Sequence, residues 1–304
     1  MFIFDDWPLF TCELKNVSLT MQPVEVIECS RDAMQGFKTW IPTEKKIAYA
    51  QSLLKVGFSV LDVGSFVSPK AIPQMRDTEE VLYSLDRTGS STELLTIVAN
   101  SRGAMQACNH SQVDWLGYPF SISENFQMRN THKTLAESLH LLDEIIELTS
   151  QRNKKLVVYL SMGFGNPYGD PWSTELVGEW LQLLSSKGIT TLSLSDTVGT
   201  ASPFLIHQLF SEIIPLYPNM NIGAHLHANP KEVIKKIDAA YGAGCCRFDG
   251  AISGFGGCPM AKDELVGNLP TEKILSYLST QKIPHSINPL HFESAYNQCL
   301  KTFN

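Results

Sequence analysis

The 304-residue chain carries 24 Lys and Arg against 31 Asp and Glu, a formal net charge of -7, with 43% hydrophobic and 18% charged residues. That balance suits a soluble globular protein with a substantial core and argues against general nucleic-acid affinity, which needs a basic face, although a few local lysines could hold a phosphorylated ligand. The seven cysteines are scattered and form no CxxC pair, so neither a disulfide framework nor a zinc ribbon is signalled, and a reducing compartment fits best.

In chain order, Met1–Phe10 comes first, with Asp5 and Asp6 and no basic residue. That is the wrong charge for a signal or transit peptide, and no run of about 18 apolar residues exists to span a membrane. A cytoplasmic protein without membrane contact is expected. After a short extension over residues 1–20, β-rich apolar runs alternate with amphipathic segments. Strands are predicted over Val24–Cys29, Val60–Val63, Leu94–Ala99, Val113–Tyr118, Leu156–Leu160, Thr191–Leu194, Ile222–His227 and Arg247–Ile252. They are short and β-branched, as strands buried on both faces should be. Helices are predicted over Thr43–Val56, Asp77–Asp86, Arg102–Cys108, Lys133–Thr149, Ser173–Ser186, Pro203–Pro215, Pro230–Gly242 and Thr271–Ser279. Thr43-Glu44 and Thr271-Glu272 read as capping hydroxyls before an acidic first turn. Ser202-Pro203 reads as a helix start, and Gly242 as lying just past an end.

Eight strand-then-helix units in about 260 residues fit a single-domain (β/α)8 TIM barrel over residues 21–280. An open doubly wound sheet is the alternative that the same alternation allows. Residues 281–304 are expected to pack on the barrel.

Chemistry in a barrel sits at the C-terminal ends of the strands, so the polar residues there are informative. The first run ends in Arg31-Asp32, the second carries Asp62 before Gly64-Ser65, and the sixth ends in Asp196-Thr197. The seventh ends His225-Leu226-His227, and the eighth leads to Gly254–Pro259 and then Gly267-Asn268. Alternate residues on a strand share a side, so both imidazoles can face the mouth about 7 Å apart. Two imidazoles are too few to complete a metal shell; Asp32 and Asn268 are available to join them. Cys258 reads equally as a thiol on a glycine-rich lid or as a buried structural cysteine. No P-loop, GxGxxG after the first strand, or GxSxG elbow is present.

The stretch EVIECSRDAMQ (Glu25–Gln35) resembles the first-strand motif of 3-hydroxy-3-methylglutaryl-CoA lyases, members of the DRE-TIM metallolyase superfamily. SFVSPKAIPQM (Ser65–Met75), SLSDTVG (Ser193–Gly199), the HxH at 225–227, and the GGCP and GNLPTE stretches within Gly254–Glu272 are similar to that family, in the same order. The resemblance implies a divalent-metal barrel that cleaves 3-hydroxy-3-methylglutaryl-CoA to acetoacetate and acetyl-CoA, in leucine degradation or ketone-body formation. It gives Asp32, His225, His227 and Asn268 as metal ligands, for Mg²⁺ or Mn²⁺, with Co²⁺ or Zn²⁺ also compatible. Arg31 matches the arginine that polarises the thioester carbonyl, and Cys258 the thiol of the catalytic loop. Asp62 and Asp196 match acidic site residues, Lys38 a lysine that meets CoA phosphates, and Gln35 and Ser65 fall among the substrate contacts. His225 is the first choice for the proton acceptor, with Asp62 or Asp196 second. A homodimer is expected.

Three departures bear on acyl specificity. Asp32-Ala33-Met34-Gln35 stands for the family's Asp-Gly-Leu-Gln, Ala228-Asn229-Pro230-Lys231 for Asp-Thr-Tyr-Gly, and Asp62 for the usual Glu. The alternatives are a related lyase or aldolase acting on another 3-hydroxyacyl-CoA or a 2-oxo acid, a Claisen-type synthase, and a non-catalytic metal-binding barrel. Arg31 and Cys258 favour an enzyme, since metal binding alone needs neither.

Overall fold

The computed structural model describes residues 23–257 and 266–304. The extension expected over residues 1–20, and Cys258, lie outside the described residues. Each predicted run holds a strand: β1 (Glu25–Glu28), β2 (Val60–Ser65), β3 (Glu93–Ile97), β4 (Trp115–Ser121), β5 (Lys155–Ser161), β6 (Thr191–Asp196), β7 (Asn221–Ala228) and β8 (Arg247–Gly250). All eight pair in parallel in chain order, and β8 closes back on β1. The fold is therefore the closed (β/α)8 barrel, not the open sheet. Closure pairs both edges of each of these eight strands and buries both faces, which is why every residue of β2 and β6 is buried.

The predicted helices form, with ends moved by at most three residues. Ser202 caps its helix, accepting from the Leu205 amide at 3.2 Å. Thr43 and Thr271 do not cap, because Pro42 and Pro270 occupy the cap positions. Their hydroxyls instead donate to Asp77 (2.8 Å) and Glu28 (2.6 Å). Gly242 ends its helix rather than following it. Helices at Ser30–Gln35, Glu124–Thr131 and Pro289–Phe303, and the strand β9 (Gly267–Asn268), are additional. No helix among the described residues is long and apolar enough to cross a membrane.

The Pro289–Phe303 helix lies against Thr43–Leu53. Phe303 meets the rings of Phe37 (5.5 Å), Tyr49 (6.1 Å) and Phe255 (4.5 Å), contacts worth about 0.5–1.5 kcal/mol each beyond simple burial. The end of the chain is thereby tied to Phe255, just before Gly256 and Gly257.

Strand alternation sends every second side chain into the lumen. At the N-terminal end a polar layer plugs it: Trp115 and Lys155 both donate to Glu93 at 2.6 Å, and Arg247 and Asn221 reach Glu25 at 3.2 and 3.1 Å. Gly223 makes room for Arg247, since a Cβ there would lie 2.8 Å from Arg247 Cδ. Ile27, Leu95 and Val157 form an apolar layer above the plug. The polar mouth stands over this floor.

Outside the lumen, Glu28 is fully buried, accepting from the Ile252 amide (2.9 Å) and the Thr271 hydroxyl. Burial outweighs those bonds and pushes its carboxyl up to about 8. In the unfolded chain it ionises near 4.5, so folding takes up a proton between these values and stability falls as pH rises through that window. Glu28→Gln removes the term. Thermal melts should show the variant gaining on the parent by a few kcal/mol between pH 5 and pH 8, at roughly 1.4 kcal/mol per pKa unit; a gap that does not change with pH would refute the assignment.

Candidate active site

The Ser30–Gln35 helix starts at the mouth end of β1 and aims three polar side chains across it. Arg31 is only 8% exposed. It gives Nε (3.0 Å) and Nη2 (2.6 Å) to Asp62 on β2, and Nη1 to Asp32 (3.0 Å) and Gln35 (2.8 Å). The whole fork is engaged, which locks its plane. Burial pushes the Asp62 carboxyl up to about 6 despite Arg31. Asp32 behaves oppositely: burial raises it, but Arg31, His225 and the Asn268 amide hold it down at about 2.

Asp32 is a convergence point. Its Oδ1 accepts from Arg31 and Gln35 (2.6 Å), its Oδ2 from Asn268 (2.6 Å) and the Gly257 amide (3.3 Å). Gly256 packs on the same residue so closely that a Cβ would sit 2.5 Å from the Asp32 carbonyl oxygen, and its φ is +85°. Only glycine fits there.

His225 and His227 alternate on β7 as the spacing requires, with ring centroids 5.3 Å apart. Strand β9 runs antiparallel to β7 and sets Asn268 directly opposite His227. This pairing, rather than a position beyond β8, brings the distant amide to the site. His227 Nδ1 lies 3.1 Å from the Thr197 carbonyl. A carbonyl only accepts, so Nδ1 carries the hydrogen and Nε2 is a buried lone pair with no partner among the described residues. Burial lowers the His227 pKa, with His225 adding to the effect, which keeps it neutral and able to ligate. One donor atom each from Asp32, His225 and His227 lie within 4.8 Å of one another. Asn268 spends Nδ2 on Asp32 and the Phe255 carbonyl, so its oxygen is the atom it would offer. Two imidazoles, a carboxylate and an amide oxygen, with one buried nitrogen unsatisfied, fit a divalent cation.

The site opens into a cavity of about 570 Å³ whose wall includes Arg31, Asp32, Gln35, Ser65, His225 and His227. The Ser65 hydroxyl is buried with no partner among the described residues. Asp62 is fully buried behind Arg31. Of the other expected site residues, one lies at the surface and one faces away from the cavity. Lys38 is exposed and is not part of the cavity wall. Asp196 is out of phase with Ser195 and Thr197, which line the cavity. It points instead to the helix layer, where Lys236 donates to it at 2.8 Å. Lys236 also donates to the carbonyls of Gly199 (3.0 Å) and His227 (2.8 Å). Asp196 thus braces the ends of β6 and β7 and is not placed to take a substrate proton. Three neighbours carried no notice in the sequence reading: Tyr159, packed edge-on to His225 at 5.5 Å, Lys236, and Asp249 behind His225. An acidic residue inside a strand buried on both faces was the available signal for Asp249.

The HMGL-like family model matches residues 26–298. The chain belongs to the HMGL-like family. A hydroxymethylglutaryl-CoA lyase of Bacillus subtilis (strain 168) is 32% identical over 257 residues, 84% of this chain and 85% of the relative. A mitochondrial hydroxymethylglutaryl-CoA lyase of Bos taurus is 30% identical over 275 residues, 90% and 83% respectively. Among solved structures, a B. subtilis HMG-CoA lyase superposes with a TM-score of 0.86 at 30% identity, covering 92% of this chain and 94% of its own. An HMG-CoA lyase from A. baumannii in complex with coenzyme A and 3-methylmalate gives 0.84 at 30% identity, covering 92% and 91%.

Within this HMGL-like barrel, Asp196 and His227 should separate cleanly on substitution. Asp196→Ala leaves Lys236 as a buried charge without its counter-ion and should cost about 3–5 kcal/mol in denaturant unfolding. His227→Ala should weaken Mn²⁺, read from the free-ion EPR signal, by more than the 10–100-fold typical of losing an outer partner. Equal effects of both variants on Mn²⁺ affinity would contradict this division.

Proposed function

We propose that the protein is a divalent-metal-dependent carbon–carbon lyase that cleaves 3-hydroxy-3-methylglutaryl-CoA to acetoacetate and acetyl-CoA. The carrying observation is the Nε2 of His227, without a partner among the described residues, in a donor cluster with Asp32 and His225 and beside an arginine on the same cavity wall. Relatives named as lyases of this substrate, and a neighbour solved with coenzyme A, support the reading.

Asp32, His225, His227 and Asn268 would hold the cation, with Mg²⁺ or Mn²⁺ the assignment for this donor set. Bound there, it would act as Lewis acid and template, lowering the pKa of the substrate's tertiary hydroxyl. His225 has one free nitrogen, because Nδ1 faces Asp249. It cannot ligate and take the hydroxyl proton in the same step. We assign it to the ligand set and give the proton to Asp62, whose pKa of about 6 suits a base working near neutrality. Asp62 stands directly behind Arg31, 2.6 Å from its Nη2. As the proton leaves, the carbinol carbon becomes the ketone of acetoacetate. The bond to the methylene breaks, and its electron pair passes to the thioester enolate. Arg31, always cationic, stabilises that oxygen. Cys258 protonates the carbon to give acetyl-CoA; a thiol with a pKa near about 8.5 holds a proton for the task. Gly256 and Gly257, docked on Asp32, bring the chain toward the site immediately before Cys258.

Purified protein with Mg²⁺ or Mn²⁺ should release acetoacetate from 3-hydroxy-3-methylglutaryl-CoA; none released with metal bound would reject this substrate. Cys258→Ser should slow turnover without changing Mn²⁺ affinity. The acid limb of the kcat/KM profile should fall near pH 6 for the parent, since Asp62 must be ionised to accept a proton, and should vanish in a slower Asp62→Asn. An acid limb surviving in that variant would remove Asp62 from the role.

A further inference from the structure

We infer that Asp249 is the positioning residue of His225, holding its imidazole in the tautomer that carries hydrogen on Nδ1 and presents Nε2 to the cavity. Strands β7 and β8 pair at Ala224 and Phe248, so the next residue of each, His225 and Asp249, stand side by side in the lumen. Asp249 Oδ2 lies 3.1 Å from His225 Nδ1. The Asp249 side chain has no exposed surface, and its Oδ1 has no hydrogen-bond partner among the described residues. An ionised carboxylate can only accept, so the shared hydrogen belongs to Nδ1. Tyr159, edge-on to the ring, closes the side from which the imidazole could rotate away.

His227 shows the same design with a weaker acceptor. Its Nδ1 faces a neutral carbonyl, whereas that of His225 faces a carboxylate. The two rings are therefore held from behind at Nδ1, and the carboxylate makes the His225 nitrogen the more basic donor. Partners of this kind fix ring orientation and raise ligand basicity, and losing one costs about 10–100-fold in metal affinity. Cys29, His225 and Asp249 also bring donor atoms within 4.8 Å of one another. His225 Nδ1 already faces Asp249 at 3.1 Å, so the carboxylate is assigned to the ring and not to an ion.

The affinity consequence rests on the metal reading above; the tautomer does not. The test therefore has two arms on the full chain. ¹⁵N NMR of histidine-labelled, metal-free protein, at a pH where imidazole is neutral, reads the His225 tautomer, assigned by the signal missing in His225→Gln. The parent should show Nδ1–H alone. The nearly isosteric Asp249→Asn, whose amide can donate or accept, should populate both forms. Mn²⁺ titration followed by EPR should then show Asp249→Asn binding 10–100-fold more weakly, with Cys29→Ser unchanged. An unchanged tautomer in Asp249→Asn overturns the inference, as does Cys29→Ser losing as much affinity as Asp249→Asn. A parent that binds no Mn²⁺ would overturn the metal reading, and the NMR arm would still decide the role of Asp249.

Discussion

One buried carboxylate organises the mouth of this barrel. Asp32 receives donors from its own helix through Arg31 and Gln35, from β9 through Asn268, and from the glycine-rich loop through Gly257. Segments more than 200 residues apart in sequence are registered against two oxygens. A charge in so sheltered a place is tolerable only because Arg31 and directed amides stabilise it; removing any partner strands the rest. The same carboxylate sits beside two imidazoles whose donor atoms lie within 4.8 Å of it and of each other. Structure and chemistry therefore draw on a single group.

Around that group the lumen is layered by strand periodicity. Apolar residues fill the middle, a polar plug seals the N-terminal end, and functional groups crown the other. The plug and the crown carry opposite kinds of order. Glu93 with Lys155, and Glu25 with Arg247, close the barrel at an end where no chemistry is needed. At the mouth, Arg31, Asp62, Asp196 and Lys236 are paired so that they aim other groups: Arg31 across the cavity, Lys236 at the carbonyl of His227. Buried ion pairs contribute little net stability, so their placement here is best understood as positioning.

The eight strands and most helices were legible because both-face burial and a 3.6-residue period write themselves into hydrophobicity. The pair His225 and His227 was legible for the same reason: alternation guarantees a shared side. What escaped notice depended on closure. Asp249 matters because β8 lies beside β7, and Lys236 because a residue 40 positions from Asp196 folds back on it. Neither relation has a local signature. The Ser30–Gln35 helix is six residues long and mostly polar, too short for any period to show. Asp196 was misplaced for a different reason: the alternation rule applied to β7 was not applied to β6, where it puts Ser195 inward and Asp196 outward.

The central claim is that Asp32, His225, His227 and Asn268 share one cation at the open end of the barrel. Crystals of the protein grown with Mn²⁺ and measured at a wavelength where manganese scatters anomalously would test it directly. The account expects a single strong anomalous peak bonded to Asp32, to Nε2 of both histidines and to the Asn268 amide oxygen. A peak between Cys29 and Asp249 instead, or no peak at the mouth in crystals saturated with the ion, would contradict it.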